Sequence, residues 1–172
     1  MNNQLYSGRY FPDEVFSSTY ESYTVINFED VCLLGFLEEY CKLLNANSAK
    51  RIHVVTILPD VKPLNFESSI DSEYLHSKML KEHQNLDYID VPMSFYQLVD
   101  KGALYSYVNV CPIYLDREFE IAILGSNKSL DSFQRFKIKS DTLLQYIENE
   151  VFQKKCNSYI SRRIRKWDER LQ

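Results

Sequence analysis

The chain has 172 residues, 45% of them hydrophobic, with 20 Lys+Arg against 24 Asp+Glu and a formal net charge of −4. A chain of this length makes one domain that buries roughly 70% of its unfolded surface, so folding requires neither a disulfide nor a metal. Only 4 glycines, no Gly-x-Gly-x-x-Gly and no P-loop exclude the common phosphate-cradling motifs, and the lack of a long apolar run or a basic, apolar N-terminus predicts a cytoplasmic protein with no membrane association.

In chain order, residues 1–20 are polar and aromatic without a period and read as an irregular N-terminal arm. Residues 22–26 alternate and carry β-branched side chains, which predicts a short strand. Asn27 then caps a helix, with Glu29 and Asp30 beside its positive N-terminus, and Val31, Leu34, Leu37, Cys41 and Leu44 recur at helical spacing to about Asn45. Residues 51–58 form the clearest strand, apolar on both faces and so central in a sheet. A loop over 64–71 leads to a helix over 72–83 with Leu75, Met79 and Leu80 inward. Ser94 introduces a short helix over 95–101 that Gly102 stops. Residues 104–110 and 118–124 alternate around the turn residues Asp116 and Arg117, predicting an antiparallel hairpin or meander. Residues 133–139 add a strand, and from Ser140 a long C-terminal helix runs over 140–172.

Catalytic and metal-binding patterns are sparse. His76 and His83 stand two helical turns apart, about 10 Å, too far to share a zinc, and read as solvent-facing helix residues; His53 reads as a half-buried strand residue. Cys32, Cys41, Cys111 and Cys156 are scattered without a Cys-x-x-Cys pair, as reduced core thiols are. Pro59-Asp60-Val61-Lys62 resembles the acid-x-Lys pair of metal-dependent nucleases, but a match this short is common by chance and Pro63 ends the strand, so it reads as a turn. No nucleophile elbow occurs. These readings leave no catalytic residue, no metal ligand set and no cofactor.

The charge is unevenly placed. Residues 154–172 hold seven basic and two acidic residues, net +5, which leaves thirteen basic and twenty-two acidic residues in 1–153, net −9. Arg162, Arg163, Arg165, Lys166 and Arg170 have the chemistry to contact phosphates. Ile160, Ile164, Trp167 and Leu171 share one helical stripe, however, so the aromatic side turns inward and the cations form a solvated face. The acidic body is the stronger candidate surface. Glu118 and Glu120 lie on one side of a predicted strand with Asp116 at its mouth, and Asp90 and Asp100 lie near Tyr88 and Tyr96 in sequence. Carboxylates interleaved with tyrosine suit docking onto a basic protein, by presenting charge where phosphates would go.

These patterns predict an α/β (α+β) fold in a single domain spanning 1–172, with a mixed or mainly antiparallel sheet of four to six strands, packed helices and the long C-terminal helix. The expected function is that of a non-enzymatic cytoplasmic inhibitor, most specifically an immunity protein that neutralises a cationic nuclease toxin by occluding its active-site cleft. The residues expected to bind that partner are Tyr88, Asp90, Tyr96, Asp116, Glu118 and Glu120. The alternative is a nucleic-acid-binding protein or metal-dependent nuclease that uses Asp60 and Lys62 or the basic tail.

Overall fold

Six strands of one antiparallel sheet carry the fold in the computed structural model, which describes residues 15–58, 64–83 and 92–138. The strands are β1 (Ser22–Asn27), β2 (Arg51–Leu58), β3 (Phe66–Ser69), β6 (Lys101–Tyr105), β7 (Ile113–Asp116) and β8 (Ile121–Ser126), in the order β1-β8-β7-β6-β2-β3. Two short strands, β4 (Glu82–His83) and β5 (Met93–Ser94), pair separately. The helices are α1 (Leu34–Ala46), α2 (Ser72–Leu80) and α3 (Phe95–Leu98), with 3-10 turns at Phe28–Cys32 and Asp131–Phe136. The expected C-terminal helix over 140–172 lies outside the described residues.

Alternation along β8 builds two cores. Ala122 and Leu124 face one side, with Ile26, Ile52, Val54, Leu104, Ile113 and Leu115, and α1 covers them through Phe36, Leu37, Tyr40 and Leu44. Ile121 and Ile123 face the other side with Val25 and Tyr114, under Val15, Phe16 and Tyr20 of the N-terminal arm and Phe119. A strand apolar on both faces belongs inside a covered sheet, and every residue of β8 is buried. Gly125 makes room for the arm: a Cβ there would lie 2.6 Å from Tyr20 and 2.9 Å from Phe16.

Several local expectations are corrected. The helix after β1 does not start at Asn27, whose amide instead donates to Asp30 Oδ2 at 3.2 Å. A 3-10 turn over Phe28–Cys32 ends in the extended Leu33, and α1 begins afresh at Leu34. The restart shifts the helical phase, so Leu34 is exposed while Phe36 and Tyr40 are core. Residues 66–69, read as loop, pair with β2 as its edge strand. Helix α2 ends at Leu80, which is exposed, and α3 ends at Leu98, so that Lys101 and Gly102 open β6. The strand expected at 133–139 is a 3-10 turn followed by a single bridge from Lys137 to Ile26.

Candidate functional site

The β7–β8 turn brings the predicted acidic residues to one end of the sheet. Residues 117–120 close it with the Glu120 N–H donating to Arg117 O at 3.0 Å and Glu120 at a φ of 52°. Phe119 plunges into the second core, which leaves Glu118 and Glu120 on either side of it exposed. Backbone bonds tie neighbouring segments to this turn. Phe28 N–H donates to Glu120 O at 2.9 Å, Arg117 N–H to Asp100 O at 2.8 Å, and Asp100 N–H to Leu58 O at 2.8 Å. Asp100 and Glu29 are therefore exposed at the same end as Glu118 and Glu120, and the partly exposed Asp30 follows Glu29.

Arg117 is the pin of this end. Its guanidinium lies 4.6 Å from the Phe28 ring centre and 5.4 Å from that of Tyr96. Nε donates to Val99 O at 2.9 Å and Nη2 donates to Tyr96 O. A guanidinium over an aromatic face is held electrostatically, and here its donors are also spent on backbone carbonyls. Tyr96 is half-buried against Phe28, their ring centres 5.6 Å apart. Its phenol is pushed above the usual tyrosine value, first by burial and then by the neighbouring Glu29 carboxylate. Five carboxylates thus share the end of the sheet that holds the half-buried Tyr96, with Arg117 turned to internal bonds and Lys137 bridged to Ile26 nearby.

Of the predicted partner-binding residues, Tyr96, Glu118 and Glu120 are brought together. Asp116 is not part of this surface. It is fully buried, its Oδ2 2.5 Å from Lys101 Nζ and 3.0 Å from the Tyr114 hydroxyl, which donates to it. Strand register explains the difference: Asp116 pairs with Lys101 in the β6–β7 ladder and points into the covered second face. Tyr88 and Asp90 lie outside the described residues, as do Asp60, Lys62 and the basic tail of 154–172. The residues missed at this end are Phe28, Glu29, Asp30 and Arg117. In the sequence the acids read as helix N-terminal charges, and only the pairing of β1 with β8 places them beside the hairpin turn.

The histidines also differ from expectation. His76 does not simply face solvent: its Nδ1 lies 2.7 Å from Cys32 O and, because a carbonyl only accepts, carries the hydrogen. His53 is buried, with Nδ1 3.5 Å from Glu67 Oε1. Among the described residues, no group of three or more His, Cys, Asp or Glu side chains could hold a metal ion, and no helix is long and apolar enough to cross a membrane. Compared with known proteins, the chain matches no family model, no curated protein and no solved structure.

Proposed function

We propose that the protein is a non-enzymatic binding protein that covers a cationic partner protein with the acidic end of its sheet. In its most specific form it is an immunity protein of the cytoplasm that neutralises a nuclease toxin by occluding the active-site cleft. The observation that carries this reading is the gathering of Glu29, Asp30, Asp100, Glu118 and Glu120 at the end of the sheet that holds Tyr96, on turns held by backbone bonds and by Arg117. A preorganised array of carboxylates mimics the phosphates that such a cleft recognises, and a partly buried tyrosine supplies contact area at low entropic cost. Nucleic acid fits this end poorly, because its phosphates would meet carboxylates.

The test is titration of the purified chain against a cationic nuclease encoded beside its gene, with nucleic-acid cleavage as the readout. Stoichiometric loss of cleavage, and association slowed about tenfold or more by Glu118→Lys with Glu120→Lys, is the expected outcome. Undiminished cleavage at saturating protein, or equal protection by the charge-reversed variant, overturns the reading.

A further inference from the structure

The opposite end of the sheet carries a second, chemically different feature. Residues 106–112, between β6 and β7, hold Tyr107 out in solvent at 82% exposure, followed by Val108 at 47%. With Ser48, Lys50 and Arg51 at the start of β2, they line an open pocket of about 330 Å³. Tyr107 and Val108 adjoin as exposed large apolar side chains.

Tyr107 is not loosely held. Its ring centre lies 4.3 Å from that of His53, edge to face, and His53 in turn stacks on Tyr105 at 5.1 Å. His53 is only 6% exposed and its Nδ1 faces Glu67, while its Nε2 is buried with no hydrogen-bond partner among the described residues. The turn beneath is closed by the Asn109 N–H donating to Ser106 O at 3.0 Å, with Asn109 at a φ of 49°. Tyr107 thus lies largely in water, edge to face with a buried imidazole whose Nε2 has no hydrogen-bond partner among the described residues.

The pocket wall is mostly apolar, and the two charged residues that line it, Lys50 and Arg51, are cations. Arg51 spends one guanidinium nitrogen on Glu67 at 2.9 Å and keeps further donors, and Lys50 makes no ion pair among the described residues. An aromatic face beside two cations recognises a planar ring that bears an anion. The volume sits at the small end of the range for small-molecule sites, enough for one such unit and not for a large cofactor.

We propose that this pocket binds a nucleoside monophosphate, its base stacked on Tyr107 and its phosphate held by Lys50 and Arg51. The site is separate from the acidic end, so either assignment stands or falls without the other.

The experiment is calorimetric titration of the full chain with AMP, GMP, CMP and UMP. Adenosine, inorganic phosphate and a short single-stranded oligonucleotide are run as parallel arms. Saturable binding of at least one monophosphate is expected, with nucleoside and phosphate each weaker by about tenfold or more. Tyr107→Ala should lower that affinity about tenfold or more, and Lys50→Ala should lower it and flatten its salt dependence. Glu118→Lys, at the far end, should leave it unchanged. Both pocket side chains are at the surface; if Tyr107→Ala nevertheless fails to fold, Lys50→Glu replaces it. No saturation by any monophosphate, equal binding by Tyr107→Ala or its replacement, or binding of the oligonucleotide alone overturns the proposal.

Discussion

Lys101 and Asp116 face each other across the β6–β7 ladder, with Nζ and Oδ2 2.5 Å apart and both side chains closed to water. Burial pushes the Asp116 carboxyl above its usual value, against the pull of Lys101 and the Tyr114 hydroxyl. Two ions taken out of water are costly, and their attraction offsets that cost only while both are present. Asp116→Ala should therefore lower the unfolding free energy by about 3–5 kcal/mol, because it strands a buried ammonium. The double change Lys101→Met with Asp116→Leu should be close to neutral or stabilising. Urea denaturation of the three proteins decides it, and a double variant as unstable as the single one would refute this account. The thiols give a pH dependence. Burial pushes Cys41 up to about 11 and Cys32 up to about 12 from an ordinary value of 9.0, and raises Cys111 in the same direction. Above pH 9.0 the unfolded thiols ionise while the folded ones hold their protons, so the unfolded state binds fewer protons. Stability is then full below that value and falls as pH rises towards 11 and 12. Denaturant melts at neutral and alkaline pH should show this decline, and Cys41→Ala should make it shallower.

Among the elements, the close approach of α3 to β6 depends on Gly102. A Cβ at that position would lie 2.6 Å from Val99 Cγ2 and 2.9 Å from the backbone oxygen of Val55. The backbone contact cannot move without disturbing the β2–β6 ladder, where Gly102 opposes Thr56. Gly102→Ala should cost about 1–3 kcal/mol by overpacking, seen as a lower denaturation midpoint with an unchanged slope. A variant as stable as the parent would show that the contact yields freely. The elements also show where periodicity is legible. β2 reads correctly as a strand apolar on both faces, and α2 through Leu75 and Met79, whereas the alternation read over 118–124 belongs to a β8 that runs Ile121–Ser126 and is buried throughout. The edge strand β3 does not, because Phe66–Ser69 is short and polar and is held mainly by pairing with β2. The break at Leu33 was equally hidden: an extended residue between two helical pieces leaves the apolar count intact while rotating the face that α1 buries.

At the scale of the molecule, charge is distributed along the strand direction. One end carries Glu29, Asp30, Asp100, Glu118 and Glu120 with Arg117 and, bridged to Ile26, Lys137; the other carries Lys50, Arg51 and Lys128 with Glu21, Glu67 and Asp71, so the acidic excess lies at the first end. Such a separation orients an approaching charged partner before contact. If the acidic end docks a basic protein, the association rate should fall as salt rises, while dissociation changes little. Stopped-flow association across a salt series measures this, and a rate indifferent to salt would argue against that docking mode. The antiparallel sheet and the α/β class were legible in the chain because alternation and helical spacing are local properties, set by which side chains must leave water. The membership of each surface was not. Glu118 and Glu120 could be grouped from their spacing, but Glu29 joins them only because β1 returns alongside β8, and Asp116 leaves them only because its register turns it towards Lys101. By itself, then, the sequence determined the kinds of element and the apolar faces they had to bury. Which carboxylates share water, and which one shares a buried ion pair, was decided by strand order and register, which are settled when the two cores close.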